Sequence, residues 1–148
     1  MLRPAWAHEA RALAEMSRAL IEAGLAWRYT PRRMAALISD SETVALVAHD
    51  DSRIQGFAVM QFGDEQAHLV LLCVQPAQRR CGIGRRLSQW LLESARVAGI
   101  DAIGLELRAD NETALAFYRG LGFTETQMVP GYYDGQAAAR RMTLRLRA

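Results

Sequence analysis

Apolar residues in the N-terminal part of the chain recur at helical spacing. Within residues 8–23 they stand three, four and seven positions apart, at Leu13, Met16, Leu20 and Ile21. That spacing places them on one face of a helix, and Gly24 is a residue type at which helices commonly end. A second, shorter helix is predicted after Pro31, with Met34, Leu37 and Ile38 on its buried face. The chain is therefore predicted to begin with two amphipathic helices.

Strand-like apolar runs begin at Thr43. Three of them predict consecutive strands over residues 43–48, 54–62 and 67–74. The third run is apolar almost throughout, which indicates a strand covered on both faces. Beyond it, helical and strand-like patterns alternate. They predict helices over residues 83–98 and 112–121, and strands over residues 103–107, 123–129 and 139–146.

This order of elements is typical of an α/β (α+β) domain in which helices flank a mixed sheet. The chain has 148 residues, of which 51% are hydrophobic, so it can form a sizeable core without metal or disulfide cross-links. It contains no internal repeat, no low-complexity tract and no Pro-, Gly- or Ser-rich linker. We therefore predict a single domain spanning residues 1–148.

Charge and composition narrow the classes of function. The formal net charge is only +2, from 18 basic residues, all of them arginine, and 16 acidic residues. This near equality of basic and acidic residues argues against a nucleic-acid-binding protein, which needs a broad basic face. No apolar run has the length of a membrane span or a signal-peptide core, so we expect a cytoplasmic protein without a membrane partner. Cys73 and Cys81 lack neighbouring ligands at metal-binding spacing, so no metal site is expected.

The loop after the third predicted strand carries the strongest chemical signal. Residues 74–86 read Val-Gln-Pro-Ala-Gln-Arg-Arg-Cys-Gly-Ile-Gly-Arg-Arg. Its two glycines let backbone amides approach a ligand, and the helix N-terminus that follows presents unpaired N–H groups suited to phosphate. The alternative is an ordinary strand-to-helix turn with solvated arginines. Four arginines beside two glycines favour phosphate binding, although neither a Walker loop nor a dinucleotide fingerprint is complete.

Together with the apolar strand and the Val-x-Pro that precede it, Arg79-x-x-Gly82-x-Gly84 resembles the pyrophosphate loop of the GNAT acetyltransferase superfamily. The resemblance implies a mixed, mostly antiparallel central sheet with splayed middle strands, flanked by helices. It also implies acetyl-CoA as cosubstrate and no metal. In this sequence the strand residues that would contact acetyl-CoA are Leu72, Cys73 and Val74. The loop residues are Arg79, Arg80, Cys81, Gly82, Ile83, Gly84 and Arg85.

A second segment, residues 105–123, extends the resemblance. It is similar to the ribosomal-protein-alanine N-acetyltransferases in its Leu-Glu-Leu-Arg run, in Asn111 and Tyr118, and in its Leu-Gly-Phe ending. The Tyr132-Tyr133 pair also resembles a loop that borders the peptide site of those enzymes, which acetylate the N-terminal amine of a ribosomal protein. The resemblance implies Glu106 as base, Tyr118 as acid, and contacts from Asn111 and Tyr118 to acetyl-CoA. The implied acceptor is the N-terminal α-amine of a protein or peptide.

The residues themselves are compatible with these roles. Side chains alternate between the two faces of the predicted strand 103–107, so Glu106 lies on the face opposite Leu105 and Leu107. A carboxylate there is either solvated or buried, and an unpaired buried carboxylate has a raised pKa, which suits a general base. Asn111 and Tyr118 fall on one helical stripe. Asn111 is also a predicted N-cap, and a tyrosine in such a position is otherwise a core aromatic.

Several other side chains are of types that can carry chemistry. Cys73 is predicted to be a buried strand residue rather than an acyl carrier, because no histidine is placed by sequence to activate it. His68 is predicted to be a surface or capping histidine rather than a second base. Four further residues are expected in the core rather than in an amine pocket: Trp6, Trp27, Tyr29 and Met34. The arginines of the last strand are predicted to form a solvated edge: Arg141, Arg145 and Arg147.

Two other functions stay open at this point. An N-acetyltransferase for a free small-molecule amine or amino acid is one of them. It is suggested by Gln136, which stands near a Glu of the ribosomal subfamily, and by N-terminal helices unlike those of that subfamily. A non-catalytic acyl-CoA-binding regulator is the other. It would keep the phosphate loop but need neither Glu106 nor Tyr118, and both are present.

Overall fold

A seven-stranded sheet with helices on both faces forms the protein, as seen in a computed structural model that describes residues 1–51 and 53–147. The helices are α1 (Ala10–Leu20), α2 (Pro31–Ser39), α3 (Ile83–Val97) and α4 (Glu112–Gly120). The strands are β1 (Leu2–Pro4), β2 (Thr43–His49), β3 (Ile54–Phe62), β4 (Gln66–Val74), β5 (Ala102–Arg108), β6 (Thr124–Tyr133) and β7 (Ala137–Arg145). Their spatial order is β1-β2-β3-β4-β5-β7-β6.

The predicted mixed sheet flanked by helices is confirmed. Strands β4 and β5 pair in parallel, and the other pairs recorded for the described residues are antiparallel. Strand β1 was not predicted, because three residues are too few to show an alternation. The prediction of an edge position for β7 is wrong: β7 lies between β5 and β6, and β6 is the edge strand.

Each face of the sheet carries its own core. Helices α3 and α4 cover one face, where Leu87, Leu91, Ile103 and Met142 are buried. Helices α1 and α2 cover the other, where Leu13, Met34, Val47 and Phe57 are buried. The two cores follow from the helical periodicity of these helices and the apolar character of the central strands. No helix in the described ranges is both long and apolar enough to cross a bilayer.

A bulge in β4 changes which way its side chains point. Leu69 pairs with Met60 and Leu71 pairs with Val59, so Val70 is an extra residue in β4. Leu69 therefore packs on the α3 side, whereas Leu71 packs on the α1 side. The bulge lies where β4 leaves β5, since their pairing ends at His68 and Gly104. The two strands then diverge, which confirms the predicted splay and opens a cleft between them.

Candidate functional site

Backbone groups of β4 line the cleft. The N–H of Gln75 donates to Gln55 O of the β3 side at 2.8 Å, so Cys73, two residues earlier, also directs its backbone polar groups towards β3. The N–H and C=O groups of Leu72 and Val74 alternate with these and point into the cleft. Because β5 has diverged there, these groups are available to an extended ligand. The arrangement fits the pantetheine arm of a coenzyme A thioester.

The glycine-arginine loop lies at the end of β4. Gly82 is the N-cap of α3 with φ +79°, and no side chain caps this helix. The first helical bond runs from Arg86 N–H to Gly82 O at 3.0 Å, which leaves the preceding amides without intrahelical partners. Arg80 also has a positive φ of 66°. Four exposed arginines surround these amides: Arg79, Arg80, Arg85 and Arg86. Free amides and cations together fit a diphosphate.

Helix α4 begins after its N-cap Asn111 and carries Tyr118. Asn111 Oδ1 accepts the N–H of Ala114 at 3.0 Å, which confirms the predicted N-cap. Tyr118 is 9% exposed, and its ring meets that of Phe123 edge-on at 5.7 Å. Burial, with a smaller contribution from Tyr133, raises the pKa of the Tyr118 hydroxyl. At neutral pH this hydroxyl therefore carries its proton and can act as a proton donor but not as a base.

Glu106 lies in β5, and its carboxylate has several hydrogen-bond and ion-pair partners. Its Oε1 is 2.6 Å from His68 Nε2, and its Oε2 is 3.4 Å from Arg141 Nε. The hydrogen bond from His68 lowers the pKa of Glu106; burial opposes this shift, while the charges of His68 and Arg141 and a hydrogen bond from Tyr132 add to it. The expectation of an unpaired carboxylate with a raised pKa is therefore wrong. Likewise, His68 is a partner of Glu106 rather than a capping histidine, and Arg141 is not part of a solvated edge.

A pocket of about 100 Å³ opens beside Glu106. Three segments line it: the connection from α1 to α2, the bulged part of β4, and the end of β6. Tyr29, predicted to be a core residue, lines this pocket. Met34 is fully buried as predicted, whereas Trp6 is 53% exposed, so its core assignment is wrong. Trp27 is half-buried, and its Nε1–H donates to Ala14 O at 3.2 Å.

Long-range polar contacts hold the α1–α2 connection against the sheet. Asp134 Oδ2 accepts the N–H of Ala26 at 2.9 Å, and its Oδ1 lies 3.2 Å from Arg28 Nη2. Arg108 Nη2 donates to the carbonyl oxygen of Ile21 at 3.1 Å. These contacts could not be predicted from the sequence, because the partners are 87 to 108 positions apart and follow no periodic pattern. They fix the shape of the pocket.

Cys73 does not take part in the polar chemistry of the site. It is 3% exposed, and burial raises the pKa of its thiol to about 12, which confirms the prediction of a buried strand residue. Across residues 1–51 and 53–147, no group of three or more His, Cys, Asp or Glu side chains is arranged to hold a metal ion.

Comparisons with known proteins agree with this geometry. The sequence profile of the Acetyltransferase (GNAT) family matches residues 10–123. The [Ribosomal protein bS18]-alanine N-acetyltransferase of Salmonella typhimurium is 36% identical over 83 residues, which are 56% of this chain and 56% of that protein. The chain thus aligns with little more than half the length of this relative.

Solved structures share the whole fold. The ribosomal-protein-S18-alanine N-acetyltransferase of Escherichia coli superposes with a TM-score of 0.86 at 24% identity, covering 100% of this chain and 94% of that one. NAA60 of Arabidopsis thaliana, in complex with acetyl-CoA, has a TM-score of 0.87 at 16% identity, and the match covers 99% of this chain and 98% of that one. The resemblance to the ribosomal-protein-alanine subfamily is confirmed. Since the family profile spans most of the chain and the splayed sheet matches as well, this protein belongs to the GNAT acetyltransferase family.

Proposed function

We propose that this protein is an acetyl-CoA-dependent N-acetyltransferase that acts on the N-terminal α-amine of a protein or peptide. One observation carries the proposal: strand β4 runs from the pocket that holds the Glu106 carboxylate to a loop suited to diphosphate. The bulge of β4 connects the two, because it turns the strand away from β5 next to His68. The match to a ribosomal-protein-alanine N-acetyltransferase supports the choice of acceptor.

The residues that would hold acetyl-CoA lie on three elements. Backbone groups of Leu72 and Val74 would bind the pantetheine arm, with Cys73 between them turned towards β3. The loop from Arg79 to Arg85 would bind the diphosphate through the free amides of the helix N-terminus. Asn111 and Tyr118 would border the arm from α4. When bound, acetyl-CoA supplies the acetyl thioester, which is the acyl donor of the reaction.

The acceptor amine has to lose a proton, and Glu106 is the carboxylate on which this step depends. An α-amine has an ordinary pKa of about 7.7–8.0, against about 10.4 for the side chain of lysine. A site whose carboxylate has a lowered pKa therefore deprotonates an α-amine more readily than a lysine. This electrostatic argument favours an N-terminal acceptor.

Two further sets of groups would act on the carbonyl oxygen and on the departing sulfur. The N–H groups of Leu72 and Val74 lie beyond the end of the β4–β5 pairing and would stabilise negative charge developing on a carbonyl oxygen in the cleft. Tyr118 holds a proton that the departing sulfur can take. Its raised pKa keeps the hydroxyl protonated across the neutral pH range, so a proton is available throughout that range.

Free small-molecule amines are the second candidate class of acceptor. Gln136 suggests it, since this residue stands near a Glu of the ribosomal subfamily. The N-terminal helices no longer do, because the fold match to the Escherichia coli enzyme covers the whole chain. Thiol release from acetyl-CoA, measured against peptides, polyamines, amino acids and aminoglycosides, separates the classes. We expect the peptides with free N-termini to react fastest. A faster reaction with a free amino acid or an aminoglycoside would overturn the peptide assignment, and no turnover with any amine would overturn the enzymatic one.

A Tyr118→Phe substitution is expected to lower kcat by less than loss of Glu106 does. The leaving thiol has a pKa of about 8.5, so it departs partly without a proton donor. Raising the pH should not restore the lost rate, because the missing function is an acid. A pH–rate profile with one peptide tests this, with Phe123→Leu as a control that alters the same ring contact. Full recovery of Tyr118→Phe at high pH would contradict the assignment.

A further inference from the structure

His68 is placed to do more than accompany Glu106. It lies on β4 two residues before the bulge, and its side chain is 43% exposed at the pocket that Glu106 also lines. Its Nε2 lies 2.6 Å from Glu106 Oε1, so this nitrogen carries the proton and donates it to the carboxylate. In the neutral ring, Nδ1 is then the nitrogen with the lone pair. Within residues 1–51 and 53–147 no hydrogen-bond partner of Nδ1 is found.

Glu106 itself is a weak acceptor for a proton. His68, Arg141 and Tyr132 all contact its carboxylate, and each of them stabilises the ionised form. The carboxylate is only 16% exposed, whereas the imidazole is 43% exposed. The imidazole is therefore the more accessible group of the pair.

The other carboxylates and cations of the pocket are already engaged. Asp134 binds Ala26 N–H and Arg28. Glu22 is buried and accepts hydrogen bonds from Ser17 Oγ and from the N–H groups of Arg28 and Tyr29. Neither carboxylate has an interaction with His68 in the described structure. Glu106 is thus the carboxylate that orients the imidazole.

The phenols of the pocket are not competing bases. Burial raises the pKa of Tyr29 and of Tyr132, and it raises that of Tyr133 to about 12. All three hydroxyls stay protonated in the neutral range. The guanidinium carbon of Arg141 lies 5.8 Å from the centre of the Tyr132 ring, and its Nε lies 3.4 Å from Glu106 Oε2, where it adds positive charge.

We infer that Nδ1 of His68 accepts the proton of the acceptor amine, while Glu106 orients the imidazole through Nε2 and stabilises the imidazolium that forms. The inference rests on the proposed function and refines how Glu106 acts in it. One N–H bond of the substrate ammonium breaks, its electron pair stays on the nitrogen, and the proton joins Nδ1. The exposed ring then returns the proton to solvent. This is the division of labour between a histidine base and a carboxylate that orients it.

Kinetics of His68→Ala with an α-amine peptide at saturating acetyl-CoA test this role. We expect kcat to fall by roughly 10²-fold or more, and added imidazole to restore part of the rate because it replaces the missing base. Rescue would also show that the variant is folded. His49→Ala is the matched control, since His49 lies on β2 and does not line the pocket. This variant should keep the wild-type kcat, and added imidazole should not change it.

The results that would overturn the inference differ from those that would overturn the proposed function. A wild-type rate in His68→Ala, or a loss that imidazole does not rescue, would rule out His68 as the base while peptide acetylation stands. Nitrogen NMR of the imidazole gives a readout independent of activity. We expect the Nε2–H tautomer in the wild type and a changed signal in Glu106→Gln. An Nδ1–H tautomer in the wild type would overturn the inference whatever amine the protein acetylates.

Discussion

Replacing Glu106 with Gln is expected to lower kcat for a peptide substrate by about 10²–10⁴, with little change in the affinity for acetyl-CoA. The substitution keeps the size of the side chain but removes the charge that orients His68. Part of the deficit should disappear at high pH, where more of the amine is already neutral. The lowered pKa of Glu106 means that the wild-type carboxylate stays ionised as the pH falls through the neutral range. Steady-state rates from pH 6 to 9 measure both effects.

Glu125→Gln is the matched control for this experiment. Glu125 is also a partly exposed carboxylate in an ion pair, 3.0 Å from Arg140, but it does not line the pocket. Its loss should leave kcat close to that of the wild type. If Glu106→Gln kept the wild-type rate near neutral pH, the proposed role of this carboxylate would be wrong.

A Gly82→Val substitution is expected to weaken acetyl-CoA binding by about tenfold or more. Gly82 has φ +79°, a conformation that costs a side-chain-bearing residue roughly 1–2 kcal/mol, and a β-branched residue is especially strained there. The N-cap should therefore leave the left-handed region and move the amides that would face the diphosphate. Since about 1.4 kcal/mol corresponds to a tenfold change in affinity, a calorimetric titration resolves the effect.

Gly84→Ala serves as the control for the loop. Gly84 lacks a positive φ, and a Cβ there would lie 3.5 Å from Phe117 Cζ, an ordinary contact. Affinity should stay near that of the wild type in this variant. Wild-type affinity in Gly82→Val would contradict the proposed diphosphate site, as would binding of NAD or ATP by the wild type with comparable heat.

The parts of the site that follow from local pattern could be predicted from the sequence. The apolar run of β4, two glycines and a helical repeat define the strand, loop and helix of the acetyl-CoA side. Alternation along β5 places Glu106 on the pocket face, and the cap at Asn111 needs only the residues that follow it. Each of these features is fixed by residues close together in the chain.

The acceptor side could not be predicted in the same way. His68 and Glu106 are 38 positions apart, and they meet only because β4 and β5 pair in parallel at that point. The expected pKa of Glu106 was wrong for this reason: the sequence reveals a carboxylate but not its partners. Likewise, β7 enters the middle of the sheet because β6 pairs on its outer side. The order of strands in a sheet depends on such long-range pairing, which no local pattern encodes.

The most direct test of the proposed function uses two peptides of one sequence, each with an internal lysine. One has a free N-terminus and the other has a blocked N-terminus. Each is incubated with the protein and acetyl-CoA, and mass spectrometry of fragments locates the acetyl group. We predict acetylation of the free peptide at its α-amine and no acetylation of the blocked peptide. Acetylation of the lysine in the blocked peptide at a comparable rate would contradict the proposal and identify a side-chain acetyltransferase.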